Sequence, residues 1–203
     1  MSKIITINRQ FGSGGRELGK RLAENLGVAY YDNEIVTQIA QRSGMAVDYV
    51  NNIIEHRPIV YYPITIGRSF LSQPTVPIDL NEGLYREQHE LIKELAAKGD
   101  CVIIGRCADY ILKDLKPLRI FVYADMDSKV ERCKKKADGL EKLSDRQLVK
   151  HICEIDRERA KYYRYFSGAK WEDPAHYDMM INTTNLPIKD IAAGLARLLQ
   201  CET

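Results

Sequence analysis

The residues best suited to chemistry stand near the start of the chain. There Gly12-Ser13-Gly14-Gly15 separates the apolar run Ile4-Ile5-Thr6-Ile7 from an amphipathic segment that begins at Arg16. Glycines let backbone N–H groups converge on an anion, and the positive end of a helix dipole adds to the attraction. A strand, a glycine loop and a helix start, in that order, therefore make a phosphate cradle. The usual spelling of such a loop, G-x-x-x-x-G-K-[ST], supplies a lysine for the outer phosphates. In this chain the lysine position holds Gly15. Arg9 and Arg16 flank the loop and offer the missing charge, as a bidentate guanidinium rather than a point-like ammonium. Glu17 reads in two ways: as a carboxylate holding Mg2+ through water, or as a first-turn carboxylate favoured by the helix dipole.

Further cations follow at spacings that suit the same anion. Gly105-Arg106 comes directly after the strand-like Val102-Ile103-Ile104, at the edge where a substrate would lie. Lys129, Arg132, Lys134, Lys135 and Lys136 form a basic run that leads into Ala137-Asp138-Gly139. That run is either a solvated helix face or a cover that brings cations to a transferring group. Asp156, Arg159 and Tyr163 are three and four residues apart and share one helix face. They fit a surface ion pair, or contacts to a ribose and a phosphate. Tyr162, Tyr163, Tyr165 and Phe166 interleave with Arg164, a pattern read as buried or interface aromatics rather than a single-stranded nucleic-acid platform.

These groups need a scaffold, and the hydrophobic periodicity describes one. Strands are predicted at Lys3–Asn8, Val28–Tyr31, Cys101–Ile104, Leu118–Tyr123 and Met179–Asn182. Helices are predicted from Arg16 to a stop at Gly27, from an Asp32 or Asn33 cap to Gly44, and over Glu82–Lys98. Others follow Gly105-Arg106, cover Asp127–Lys136, run from a Ser144 cap to about Phe166, and span Ile188–Leu199. Strands alternating with helices argue for an α/β protein with a mostly parallel sheet and helices on both faces. Such sheets bind ligands outside the carboxyl ends of their strands. Arg57 to Asn81, with Pro58, Pro63, Pro74 and Pro77, lacks helical periodicity and reads as a binding loop, a lid or a partner surface.

Size and composition set bounds. The 203 residues suit one domain, 1–203, and their net charge of +2 argues against nucleic acid or an anionic membrane as the partner. No apolar stretch approaches the ~20 residues of a membrane span. The opening strand leaves no room for a signal peptide, and five cysteines without a C-x-x-C pair suit a reducing cytoplasm. Four histidines show no metal-ligand spacing.

Taken together, these pieces resemble the cytidylate kinase family, and more closely its divergent cytidylate kinase-like branch. The similarity runs in order from Ile4 to the last helix. Ile4 through Glu17 looks like that branch's P-loop, and Val102 through Arg106 is similar to the strand and Gly-Arg at its phosphate-transfer site. Ala124 through Arg132 resembles the start of its lid, with Lys129 and Arg132 on arginine positions. Asp156-Arg157-Glu158-Arg159-Ala160 matches a D-R-x-R-A segment whose Asp and last Arg contact the nucleoside monophosphate. Arg86 sits near another monophosphate-binding arginine, and Asn182-Thr183-Thr184 resembles a D-[ST]-[ST] turn.

The resemblance implies a P-loop kinase-like three-layer sandwich, with a five-stranded sheet, a small helical lid over residues 128–145 and a monophosphate-side loop over 57–81. It also implies ATP with Mg2+, held by Gly12, Ser13, Gly14, Gly15, Arg16, Glu17, Lys129 and Arg132. Arg16, Arg106 and Arg132 would neutralise the transferring phosphoryl group, while Asp32, Arg86, Arg106, Asp156 and Arg159 would hold the acceptor. The chain departs from the pattern at several places. Gly15 replaces the lysine, and Asn33 and Gln38 replace a serine and an arginine of the segment after the second strand. Cys107 stands where an Asp follows Gly-Arg, and Ile152 where an arginine precedes Asp156 by one turn. A nucleoside monophosphate kinase is the expected activity. The departures leave open a nucleotide or anion sensor without turnover, and a kinase for a non-nucleotide acceptor.

Overall fold

The computed structural model describes residues 3–48, 50, 78–135 and 143–200. Five strands, β1 (Ile4–Arg9), β2 (Ala29–Tyr31), β3 (Cys101–Ile104), β4 (Leu118–Tyr123) and β5 (Met179–Asn182), form one sheet in the order β2-β3-β1-β4-β5. Every pairing is parallel. Seven α-helices accompany them among the described residues: α1 (Gly15–Leu26), α2 (Asn33–Ser43), α3 (Ile78–Ala97), α4 (Ala108–Ile111), α5 (Met126–Lys135), α6 (Asp145–Ser167) and α7 (Ile188–Gln200).

The two-residue period of the strands sorts side chains into two cores. Ile5, Ile7, Val102, Ile104, Ile120 and Val122 pack with Leu18 and Leu22 of α1 and with Ala192 and Leu195 of α7. On the opposite face Ile4, Cys101, Ile103 and Phe121 meet residues of α2, α3, α4 and α6. Helices thus cover both faces of the sheet in three layers, the arrangement that the resemblance implies. Gly19 lies on the buried side of α1, where a Cβ would collide with Ile104 Cδ1. Glycine there costs roughly 1 kcal/mol in helix propensity. The close approach of α1 to the sheet offsets that, since wholly buried Leu18 and Leu22 contribute ~1.5–3 kcal/mol each relative to exposure.

Strand positions agree with the sequence-based expectation to within a residue or so. The third helix begins at Ile78 rather than Glu82. The proline-dense composition up to Pro77 hides that start, because the helical pattern is carried by Leu84, Leu91, Ile92 and Leu95 further along. Most of the irregular 57–81 segment lies outside the described residues. So does the middle of the lid-like 128–145 segment, whose first part is α5 and whose end is the Ser144 cap of α6. The Ser144 hydroxyl accepts the Gln147 N–H, and the Gln147 side chain reciprocates to the Ser144 N–H. No helix among the described residues is long and apolar enough to cross a membrane.

Candidate active site

The carboxyl ends of β1 and β3 lie side by side, with Gly105 N–H donating to the Ile7 carbonyl at 2.9 Å. Beyond β1 the chain turns through Gln10–Gly14 into α1. Gly12 and Gly14 take positive φ of 74° and 82°, conformations that cost side-chain-bearing residues roughly 1–2 kcal/mol. The Ser13 hydroxyl donates to the Gln10 carbonyl at 2.8 Å and fixes the turn from within. The first N–H groups of α1 have no partner inside the helix, and that of Gly15 lies 3.4 Å from Ser13 Oγ.

The loop is clamped from outside. The Thr183 hydroxyl, wholly buried, donates to the Ser13 carbonyl at 2.7 Å. Arg132 of α5 donates to Thr183 Oγ1 at 3.2 Å and to the Thr183 carbonyl, and reaches the Ser13 carbonyl at 3.4 Å. Asp156 of α6 accepts the Phe11 N–H at 2.6 Å and lies 3.5 Å from Lys129 Nζ. Lys129 also donates to Gln10 Oε1 at 3.1 Å. A Cβ on Gly12 would sit 3.0 Å from the Lys129 carbonyl, so α5 rests directly on the loop. Lys129, Arg132 and Asp156 therefore support loop shape rather than project into open space. Burial raises the Asp156 carboxyl above the usual range, against the pull of Phe11 N–H, Lys129 and Arg159.

Four arginines converge in front of the loop. Arg9 is nearly buried and lies with its Nη2 3.9 Å from Asp32 Oδ1. Arg16, half-exposed, pairs with Asp32 Oδ2 at 2.5 Å. Arg159 donates to the Arg9 carbonyl at 3.2 Å. Arg106 is 7% exposed and lines one cleft together with Asn8, Arg9, Gly105, Arg159 and Tyr163. Burial first, then Arg159, Arg106 and Arg16, push the Arg9 pKa down to about 9, with Asp32 pulling the other way. Asp32 or Asn33 is the expected cap of α2, and Asn33 is its first helical residue. Asp32 stands at the cap position, but its carboxylate makes no cap bond and is given to the arginines.

Arg106 is held in an unusual turn. Gly105, Arg106 and Cys107 all have positive φ, at 64°, 59° and 53°. The wholly buried Gln88 of α3 donates to the Arg106 carbonyl at 2.9 Å, and Tyr162 donates to Gln88 Oε1 at 3.3 Å. Beneath it, Tyr163 donates to Asp109 Oδ2 at 2.6 Å, and Asn8 donates to the Tyr177 hydroxyl at 3.3 Å. Burial raises the Asp109 carboxyl, with Tyr163 and Asn8 opposing. Burial also pushes the Cys107 thiol well up, which leaves it protonated and a poor nucleophile.

Not every residue singled out in the sequence joins this cluster. Glu17 pairs with Arg21 at 2.8 Å along α1, as a first-turn carboxylate would. Arg86 stands exposed on α3 and is not part of the cleft lining. Tyr162 and Tyr163 are buried, whereas Tyr165 is exposed. Conversely, Gln88, Asp109, Tyr177 and Thr183 order the site without having been chosen for it. Only Thr183 carried a signal, through the Asn182-Thr183-Thr184 turn.

Known proteins are similar to this chain in sequence or in fold. Cytidylate kinase of Methanopyrus kandleri is 24% identical over 194 residues, 91% of this chain and 86% of its own. That of Pyrococcus horikoshii is 27% identical over 182 residues, 89% and 80%. Among solved structures, an uncharacterized protein from Eubacterium ventriosum superposes with a TM-score of 0.70 at 22% identity, covering 98% of both chains. A shikimate kinase from Bacteroides thetaiotaomicron gives 0.59 at 16%, covering 98% and 99%. These two likenesses speak for the fold alone. The model of the cytidylate kinase-like family matches residues 4–185, from β1 to the turn beyond β5. The chain belongs to the cytidylate kinase-like family.

Proposed function

We propose that the protein transfers the γ-phosphoryl group of ATP to a nucleoside monophosphate such as CMP or dCMP. Family membership makes it a kinase-type nucleotide-binding protein, and the finer reading rests on one observation above all. Arg9, Arg16, Arg106 and Arg159 gather at the ends of β1 and β3, and Asp32 is the carboxylate that opposes their charge at Arg9. Such a cluster lowers its energy by taking up phosphate.

Phosphoryl transfer asks little covalent chemistry of a protein; positioning and charge stabilisation carry it. Gly12 to Gly15 and the first turn of α1 would hold the donor phosphates through backbone N–H groups. Arg16 and Arg106 would neutralise phosphoryl oxygens, while Arg132 holds the loop carbonyl of Ser13. Arg159, Asp32 and Arg86 would hold the acceptor, with Asp156 fixing the loop through the Phe11 N–H. Mg2+ held with the triphosphate beside Gly12 to Gly15 and Arg16 would supply charge neutralisation to the donor phosphates. Among the described residues no group of three or more His, Cys, Asp or Glu is placed to hold a metal.

The test is a thermal-shift scan with Mg2+ and ATP, GTP, CMP, dCMP or UMP, coupled to ADP release. Stabilisation by ATP and by CMP, with ADP formed only when both are present, is the expected result. Stabilisation without product from any of these acceptors would turn the reading towards a sensor or a non-nucleotide acceptor. No shift with any nucleotide would refute it.

A further inference from the structure

The usual phosphate loop has glycine at its first position and lysine directly after its last glycine. With Gly14 as that last glycine, the two positions in this chain are 9 and 15, and they hold Arg9 and Gly15. The small residue and the long cation have changed places. Space in the structure makes the exchange a physical one. Arg9 shares the strand face of Ile5 and Ile7, which is the side covered by α1. A Cβ on Gly15 would lie 2.5 Å from Arg9 Cβ and 3.0 Å from Arg9 Cγ, so the stem of Arg9 fills the room a residue at 15 would need. At the far end, a Cβ on Gly105 would collide with Arg9 Nη1. The side chain runs across Gly15 and delivers its guanidinium over Gly105, beside Arg106.

That guanidinium is poorly placed for support of the fold alone. Its side chain is 9% exposed, its carboxylate partner Asp32 is 3.9 Å away, and Asp32 is more closely engaged by Arg16. Arg159 and Arg106 add like charge. A buried charge without a close counter-ion is costly, and an incoming anion is what would complete the group. We propose that Arg9 is the phosphoryl-binding cation of this loop, replacing from β1 the lysine that other loops supply from the helix. Its ligand is the terminal phosphates of a nucleoside polyphosphate, so the inference rests on the nucleotide-binding reading above. Arginine in this place presents two parallel N–H donors to one phosphoryl group.

The experiment compares wild type with Arg9→Gln, Arg9→Gly, Gly15→Lys and the double variant Arg9→Gly/Gly15→Lys. Each is checked for folding by circular dichroism. Binding of inorganic pyrophosphate and of ADP with Mg2+ is measured by calorimetry, and turnover with CMP alongside. Arg9→Gln should lose about 10²–10³-fold in turnover, with a parallel loss of pyrophosphate affinity. Gly15→Lys alone should gain nothing, because its stem meets that of Arg9. The double variant should recover part of what Arg9→Gly loses, which a merely structural Arg9 would not allow. Arg9→Gln with wild-type pyrophosphate affinity would overturn the proposal, and so would a double variant no better than Arg9→Gly. A wild type that binds pyrophosphate through Arg9 yet phosphorylates no nucleotide would leave this inference standing and remove the kinase reading. A wild type that binds neither would remove both.

Discussion

Replacing Gln88 by Met is the sharpest test of how the Arg106 turn is held. Gln88 is wholly buried and bridges two groups, the Arg106 carbonyl at 2.9 Å and the Tyr162 hydroxyl at 3.3 Å. Methionine keeps nearly the same length and volume but neither donates nor accepts as an amide does. The substitution strands a carbonyl and a hydroxyl away from water, and each such group costs ~1–3 kcal/mol. The expected destabilisation is roughly 2–4 kcal/mol, the Tyr162 share being the smaller because its bond is long. For a chain of this size that corresponds to a fall in Tm of about 5–10 °C.

Function should suffer as well. Arg106 and Cys107 sit in a left-handed conformation that costs roughly 1–2 kcal/mol each, comparable to what the Gln88 bridge supplies. Without the bridge the turn relaxes and Arg106 leaves its place in the cleft. Urea unfolding measures the first effect, and kcat with ATP and the acceptor measures the second. Tyr162→Phe provides the control: alone it should cost ~1 kcal/mol, and combined with Gln88→Met it should cost less than the sum by about 0.5–1.5 kcal/mol. If Gln88→Met unfolds within about 0.5 kcal/mol of wild type, the bridge does not hold the turn and the reasoning fails.

Three further outcomes are expected. Asp109→Asn should stabilise the protein near neutral pH and not in acid. The folded-state pKa of Asp109 is raised, so the native state binds more protons in the window above the unfolded value of ~3.9, and stability falls as pH rises through it. Unfolding free energies of variant and wild type at about pH 4 and about pH 7 should diverge with pH, and parallel curves would contradict this. Asp32→Asn leaves Arg9 and Arg16 without their carboxylate. It should destabilise by roughly 2–3 kcal/mol, discounted for the exposure of Arg16, and thermal unfolding in phosphate rather than chloride should narrow that deficit. Thr183→Val removes the 2.7 Å bond to the Ser13 carbonyl. A loss of ~1–2 kcal/mol is expected, together with faster amide exchange in the loop than in the sheet.

The sheet was legible because its signal is local and repeated. Ile4-Ile5, Val102-Ile103-Ile104 and Ile120-Phe121-Val122 are apolar on both faces, as a doubly covered parallel strand must be. Gly27 and Gly44 end their helices where the periodicity stops. The glycine loop and Gly105-Arg106 were legible for a related reason, since each follows a strand directly. The groups that hold them were not. Gln88 reaches Arg106 from 18 residues away, Tyr163 reaches Asp109 from 54, and Asp156 reaches Phe11 from 145. A hydrogen bond across such a separation leaves no period in the sequence. The resemblance gives Lys129 to a lid and Asp156 to the acceptor; the contacts between Lys129 and Asp156 and between Asp156 and the Phe11 N–H are added by the fold and had no mark in the sequence.

Residues 9, 15 and 105 show how far such dependence reaches. A lysine at 15 cannot be introduced while Arg9 Cβ stands 2.5 Å from where the new Cβ must go. Glycine at 9 would open that space and in the same step remove the cation from the cleft. Any side chain at 105 would meet the Arg9 guanidinium, and would also have to adopt a φ of +64°. Each single change is therefore worse than either end state: the first through steric overlap, the second through lost charge, the third through both overlap and backbone strain. Positions 9 and 15 can change only together, with glycine kept at 105 for as long as Arg9 is present, as a passage between two loops that place one cation near the same phosphate from opposite sides. The missing lysine, which taken alone argues against turnover, is in this structure the space that Arg9 occupies.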